Sequence, residues 1–482
     1  MSSAPVKDRT VFVSGHFNVL HPGHLRLLRF AKEYGGRLMV AIESDRLAGG
    51  AAHVPELLRL EGVQSNSWVD EAFIVDEPVA QVIARLKPDF VVKGKEHESA
   101  SNPESEALAQ YGGKLLFSSG ETVFSSMDLI RKEFRDFDPR SIGMPQAYLT
   151  RHSIDRRRLI DLVKRFADLR VCVVGDLIVD EYITCQPLGM SQEDPTIVVT
   201  PIDSMRFVGG AGIVAAHAAG LGATVRFVSV TGADASRRFA EESLAGAGVE
   251  AHLIIDDSRP TTLKQRFRCK GKSLLRVSHL HQGAISVTHQ ALILAEIDKA
   301  MEDIDLLVFS DFNYGCLPQP LVEQIVSRAE NRGVLLAADS QSSSQVGDIG
   351  RFRRMDLLTP TEREARISTR NHEDGLVVLA EALRIQSTAR NVLLKLGEEG
   401  LLIHAGNGQA DGWLTDRINA LNSAPKDVAG AGDSLLITSA LTLAGGGSIW
   451  EAACLGSVAA AVQVGRVGNS PIQVAELLQE LV

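Results

Sequence analysis

Apolar and polar positions divide the chain into two long stretches in which short strands alternate with helices. Residues 11–14 form an apolar run that predicts a strand, and residues 22–34 carry helical spacing. Apolar runs at 37–42, 72–75, 90–92 and 114–117 predict further strands, with a helix over 57–65 among them. Residues 136–152 hold Asp138-Pro139-Arg140, Gly143 and Pro145 with no clear period, which predicts a linker. Leu159, Leu162, Val163, Phe166 and Leu169 then mark an amphipathic helix capped by Ser153 or Asp155. The alternation resumes with a buried strand over 171–176. An alanine-rich helix follows Gly209-Gly210-Ala211-Gly212, strands follow at 306–309, 334–338 and 392–395, and an apolar helix runs from Leu435. Short buried strands separated by helices predict parallel sheets whose ligands bind at the strands' carboxyl ends. The expected fold class is α/β with two doubly wound domains, residues 1–136 and 169–482, joined by a linker and helix over 137–168.

Composition narrows the functional classes. The chain has 482 residues, 45% of them apolar, enough for two or three domains with large cores. A net charge of −10 argues against a general nucleic-acid binder. The N-terminus has no signal-peptide pattern, and no apolar run is long enough to span a bilayer, so a cytoplasmic protein without membrane contact is expected. Cys172, Cys185, Cys269, Cys316 and Cys454 show no CxxC spacing and read as reduced thiols.

Two junctions carry the chemistry. Gly15-His16-Phe17-Asn18-Val19-Leu20-His21-Pro22-Gly23-His24 lies where the first strand hands over to a helix N-terminus. Unpaired N–H groups and the positive end of the helix dipole make that a seat for phosphate. His21 and His24 can add donors to the same anion, and Gly23 allows its close approach. A zinc site lacks a third ligand at sensible spacing. The second junction is Asp427-Val428-Ala429-Gly430-Ala431-Gly432-Asp433-Ser434, running straight into the apolar helix. Gly430, Ala431 and Gly432 make a nest of N–H groups, and Asp433 at its mouth fits a general base that deprotonates a sugar hydroxyl. The Gly209 cluster lacks the spacing of a dinucleotide fingerprint, and Gly271-Lys272-Ser273 lacks the glycine that a Walker A loop needs.

The first junction resembles the HxGH signature of the nucleotidyltransferase superfamily. Pro88-Asp89-Phe90-Val91-Val92-Lys93-Gly94 and Ser125-Ser126-Met127-Asp128-Leu129-Ile130-Arg131 are similar to two further elements of it, and Arg59 precedes Asp70 at another family spacing. The resemblance implies a Rossmann-like domain in which His21 and His24 stabilise a pentacoordinate α-phosphate, with Gly15, Phe17, Gly23, Lys93, Ser125 and Ser126 near the nucleotide. The second junction resembles the DxxGAGD signature of the ribokinase (PfkB) carbohydrate kinases, and this likeness spans the larger domain. It implies a ribokinase-like fold with Asp433 as base, and with Asp180, Gly209, Gly210 and Asp311 at the sugar. It also implies Gly397 and Gly400 beside ATP, and Glu364 near Mg²⁺ through water. Lys264, Arg266 and Arg276 fit a basic region that holds a phosphate already on the sugar. Both modules together resemble the bifunctional ADP-heptose synthases, in reversed order. That family implies ATP and Mg²⁺, a sugar phosphate as substrate and a homo-oligomer.

Several positions depart from those patterns. Asn18 stands for an aspartate, and the loop after Asp45 lacks a phosphate-binding lysine for which Arg46 or His53 could substitute. Ile213 stands for a sugar-contacting asparagine, Tyr314 and Gln341 for lysines, Thr361 for an asparagine and Ala429 for a threonine. Three readings remain open on the sequence: an ADP-heptose synthase, the same two chemistries on another sugar or polyol phosphate with ATP or CTP, and a binding protein with decayed sites.

Overall fold

The computed structural model describes residues 9–20, 22–94, 103–118, 142–269, 272–342, 346–406, 413–466 and 468–481. The chain divides into two compact units, the first ending at Asp138. His21, Ser125 and Ser126 lie outside the described residues.

The first unit is one five-stranded sheet of β1 (Thr10–Gly15), β2 (Arg37–Glu43), β3 (Glu71–Val75), β4 (Phe90–Gly94) and β5 (Lys114–Ser118). The order is β3-β2-β1-β4-β5 and every pairing is parallel. Val11 and Val13 pack on one face with Leu28, Ala31 and Val63, whereas Phe12 packs on the other with Met39, Val82 and Ile83. Both faces are covered, which is why β1 reads as an unbroken apolar run and not as an alternation. The chain winds outward from β1 to β3 and then returns to β4. The carboxyl ends of β1 and β4 are therefore the topological switch point, where such sheets bind ligands. The helix Pro22–Glu33 starts there.

The second unit contains β6 (Arg170–Gly175), β7 (Leu177–Met190), β8 (Ile197–Gly210), β9 (Thr224–Thr231), β10 (Val249–Ile255), β11 (Thr262–Cys269) and β12 (Lys272–His279). It continues with β13 (Leu306–Asp311), β14 (Leu335–Ser340), β15 (Leu357–Leu358), β16 (Asn391–Lys395), β17 (Leu401–Gly406) and β18 (Trp413–Ile418). Nine of these form a sheet in the order β10-β9-β6-β13-β14-β15-β16-β17-β18. Pairings are parallel as far as β16 and antiparallel beyond it. The others form a separate four-stranded sheet, β12-β11-β7-β8, which hydrophobic patterning does not reveal. Its outer halves are exposed: β12 is solvent-facing along nearly its whole length, and β8 is buried only at its last residues.

The region upstream of β6 also differs from the sequence expectation. Residues 146–151, expected as linker, form a helix (Gln146–Arg151), and Arg156–Arg165 forms a second, capped by Asp155, which accepts from the Arg157 N–H. Ser153, the other candidate cap, turns in a left-handed conformation instead, at φ 53°. Tyr148, Leu149, Leu159, Leu162, Val163 and Phe166 all enter the main core of the second unit, alongside Leu477 and Leu481. The Tyr148 hydroxyl donates to the Trp450 carbonyl at 2.9 Å. Among the described residues, no helix is long and apolar enough to cross a membrane.

Because Tyr148 is buried and hydrogen-bonded, Tyr148→Ala should destabilise the second unit by about 3–5 kcal/mol, as large aromatic truncations do. Tyr148→Phe should cost only about 1 kcal/mol. Thermal melts of the two variants test that order.

Candidate active sites

In the first unit the chain leaves β1 through a tight turn. Phe17 adopts φ 49° and its ring packs on His24, with centroids 4.9 Å apart. Phe17, expected near the nucleotide, is itself buried and braces the histidine. Nδ1 of His24 lies 3.1 Å from the Val19 carbonyl. A carbonyl only accepts, so Nδ1 carries a proton, and the contact sets the ring's direction. Gly15 closes β1, with the Phe17 ring beside it, and Gly23 lies in the first turn of the helix.

Asn18 and Arg59 tie the surrounding loops together. Asn18 donates to Ala51 O (2.7 Å) and accepts from the His53 N–H (2.8 Å). Arg59, with a fully buried side chain, donates to Val54 O, to His16 O and to Asp45. Its spacing to Asp70 singled it out, but its work is structural. Arg46 pairs with Asp76 at the surface. Lys93, at the end of β4, pairs with Glu104 at 2.9 Å. Glu43, at the end of β2, is held below the usual carboxylate range, chiefly by its hydrogen bond with His16 against the opposing pull of burial. The charges of Arg59 and Lys93 add to that lowering.

In the second unit Asp433 is the third residue of the helix Ala431–Ala444. The Ala431 N–H donates to Val428 O at 3.4 Å, whereas an α-helix start leaves the N–H groups that follow without an intrahelical partner. Gly430 caps the helix at φ 77°, and a Cβ there would stand 2.0 Å from Asn469 Oδ1, so this corner requires glycine. Asp433 is 6% exposed and accepts from Gln341 Nε2 at 2.9 Å. Burial, then the charge of Asp339, pushes its carboxyl up to about 7, with Asp180 adding to the rise and Lys395 and Gln341 opposing it. Asp339, at the end of β14, is pushed up to about 6 by burial, against the Lys395 ammonium 2.8 Å from its Oδ2.

The four-stranded sheet supplies the opposing wall. Lys264 is in register with Asp180, Arg266 with Tyr182, and Arg276 with Arg266. Alternate residues of a strand share a face, so these cations surround Asp180. Arg266 approaches Asp180 Oδ1 at 3.6 Å. Burial raises the Asp180 carboxyl, while the charges of Arg266, Lys264 and Arg276 pull it down. Gly209 and Gly210 end β8 opposite Ile178 and Leu177, and Gly209 lies against the Asp180 carboxylate. The structure thus brings together Asp180, Gly209, Gly210, Lys264, Arg266, Arg276 and Asp433. Gly397 and Gly400 shape the turn after β16, just beyond Lys395.

Two expected acidic residues have other partners. Asp311, 1% exposed, accepts from Arg351 and from Ser340, both at 2.8 Å. Glu364 forms a capping box with Thr361 and also accepts from the Ser342 N–H. Sequence reasoning missed Asp176, Asp339 and Gln341 as participants. Asp176 accepts from the N–H groups of Phe312, Tyr314 and Cys316, and so holds the loop after β13. Burial and the Asp311 charge raise its carboxyl to about 6.

A nine-stranded, mainly parallel sheet with a smaller antiparallel-edged sheet beside its carboxyl ends is the ribokinase-like fold. Two solved structures share it: a ribokinase from Thermotoga maritima (TM-score 0.52, 21% identity, 65% of this chain and 99% of that one) and an Arabidopsis thaliana ribokinase complexed with ribose and ATP (TM-score 0.51, 19% identity, 65% and 98%). Residues 168–474 match the pfkB family carbohydrate kinases, and the chain belongs to that family. Residues 12–111 match the cytidylyltransferase-like family. Curated relatives include the bifunctional protein HldE of Syntrophotalea carbinolica, 29% identical over 331 residues (67% of this chain, 65% of the relative). Another is HldE of Azotobacter vinelandii, 32% identical over 315 residues (65% and 64%). The chain spans about two thirds of the length of these relatives.

Gly430→Ala should force an L-residue into left-handed backbone against Asn469. It is expected to lower the melting temperature and to cost at least about 1–2 kcal/mol, the penalty for that conformation. A melt that matches the parent protein would show that the corner tolerates a side chain.

Proposed function

We propose that the chain is a bifunctional enzyme that makes an ADP-heptose nucleotide sugar. The second unit phosphorylates C1 of a heptose 7-phosphate with ATP, and the first joins a heptose 1-phosphate to AMP. The observation that carries the reading is Asp433, a buried carboxylate of raised pKa at the start of a helix, electrostatically coupled to Asp180 inside its ring of cations. The names of the HldE relatives and the two family matches support it.

In this reading Lys264, Arg266 and Arg276 hold the phosphate already on the sugar, and Asp180 with Gly209 and Gly210 orients its hydroxyls. Gln341 holds Asp433 Oδ1, and Oδ2 takes the proton from the C1 hydroxyl. The freed oxygen attacks the γ-phosphorus of ATP and ADP leaves, while the N–H groups at the helix start stabilise the charge in transit. Mg²⁺ bound to ATP would be met by Glu364 through water, since a carboxylate that accepts two backbone N–H groups retains further lone pairs. Bound there, it would neutralise phosphate charge. In the first unit His24 with His21, at the helix N-terminus, stabilises the α-phosphate as the sugar phosphate displaces pyrophosphate. A cytoplasmic location and a homo-oligomer belong to this reading. The free cysteines support the first, and the exposed apolar Leu188, Met190, Ile197 and Ile202 of β7 and β8 support the second.

A second reading keeps both chemistries on a different sugar or polyol phosphate. Ile213 favours it, because a buried apolar side chain stands where the resemblance places a sugar-contacting asparagine.

The test is incubation with ATP, Mg²⁺ and a panel of sugar phosphates, with products identified by mass. Asp433→Asn should lower sugar-dependent ADP release by about 10²–10⁴-fold without affecting pyrophosphate release. His24→Asn should do the reverse. If Asp433→Asn leaves ADP release intact, the kinase assignment fails.

A base must be deprotonated to act, and the Asp433 carboxyl sits at about 7. ADP release at low sugar concentration should therefore rise about tenfold per pH unit below that value and level off above it. A rate that is flat down to the ordinary carboxylate range would remove Asp433 from the role.

A further inference from the structure

The carboxylates of the second unit enclose an ammonium that stands at a helix start, where anions are favoured. Lys395 ends β16. Its N–H donates to Pro360 O at 2.7 Å, and its backbone bridges to Thr361. Its side chain crosses the end of the two-residue strand β15 to reach Asp339 on β14. A Cβ built on Gly432 would lie 3.2 Å from Lys395 Nζ. The ammonium is therefore pressed against the second residue of the helix that carries Asp433, at that helix's positive end. Placing a cation there is unfavourable on its own, because the helix start already favours anions. Burial alone would lower the pKa of Lys395, but the charges of Asp339, Glu364 and Asp433 outweigh it and raise it, so the side chain stays an ammonium.

The pairing with Asp339 is also incomplete. Asp339 is 2% exposed, and its Oδ1 has no hydrogen-bond partner among the described residues. An ammonium has three donors, and Asp339 Oδ2 takes one. A cation at the mouth of an anion-binding helix start, beside the base, is placed for a further anion to complete.

We propose that Lys395 is a catalytic residue of the kinase unit, whose Nζ binds a non-bridging oxygen of the γ-phosphoryl group as it moves from ATP to the sugar. This rests on the kinase reading of the second unit. As the bond from the sugar oxygen to γ-phosphorus forms, the bond from γ-phosphorus to the ADP oxygen breaks. The sugar proton ends on Asp433, and Lys395 keeps its own protons throughout.

The experiment compares Lys395→Met, Lys395→Arg and the double variant Lys395→Met/Asp339→Asn in the full chain. The measurements are kcat and sugar KM for ADP release, ATP affinity by calorimetry and the melting temperature. Lys395→Met should lower kcat by about 10²–10³-fold, the usual cost of losing one transition-state donor, with sugar KM little changed. Lys395→Arg should recover part of that loss. Lys395→Met alone leaves Asp339 uncompensated and should melt early. The double variant should melt close to the parent protein while its kcat stays low. If the double variant regains turnover with its stability, Lys395 serves only to neutralise Asp339 and the proposal is overturned. Parent protein that releases no ADP with any sugar phosphate would sink the kinase reading. Lys395 would then be judged by ATP affinity, where a loss of about tenfold or more in the stable double variant upholds the phosphate contact and an unchanged affinity overturns it.

Discussion

Carboxylates removed from water are the constraint around which the second unit is arranged. Asp339, Glu364 and Asp433 are buried, and Asp180 is nearly so, at strand ends and at the start of one helix. Each such ion costs several kcal/mol to desolvate unless partners compensate. The fold compensates unevenly. Glu364 accepts from two backbone N–H groups and Asp339 has Lys395, but among the described residues Asp433 has only the neutral Gln341 amide as its side-chain hydrogen-bond partner. The remainder appears as a raised pKa, about 7 at Asp433 and about 6 even at Asp339. Asp176, itself raised to about 6, and Asp311 serve the fold instead. Their carboxylates are tied to backbone N–H groups, Arg351 and Ser340, and they hold loops in place.

The first unit meets the same electrostatic demand with fewer buried charges. Its proposed anion seat is backbone at a helix start, with His24 aimed by a carbonyl contact and an aromatic ring. Its precision comes from local ties, Asn18 to the 51–54 loop and Arg59 to two loops and the helix start at Asp45. Asn18 departs from the family pattern, yet it does work here that an aspartate could do only in part, because its amide donates to Ala51 O while its carbonyl accepts from His53.

Legibility in the sequence followed burial. Strands covered on both faces, such as β1, β2, β6 and β13, are continuous apolar runs and can be read directly. Strands β7, β8, β11 and β12 carry polar residues on exposed faces, so the second sheet was invisible, although the cations it presents were already suspected. The helix starts at Pro22 and Ala431 were legible because glycine spacing reports local backbone. Which side chain meets which was not. Lys395 and Asp339 are 56 residues apart, and Gln341 and Asp433 are 92 apart, so only the winding of the sheet brings them together. Arg59 shows the converse, because spacing drew attention to it while burial shows that it supports loops.

The helices Gln146–Arg151 and Arg156–Arg165 precede the first strand of the kinase sheet, yet they fill its core beside Leu477 and Leu481. They act as a plug contributed from upstream. Anyone excising the kinase half at the start of β6 would strip the plug away and bare an oily trough. The severance point that respects the packing lies ahead of Met144, which itself rests on that core.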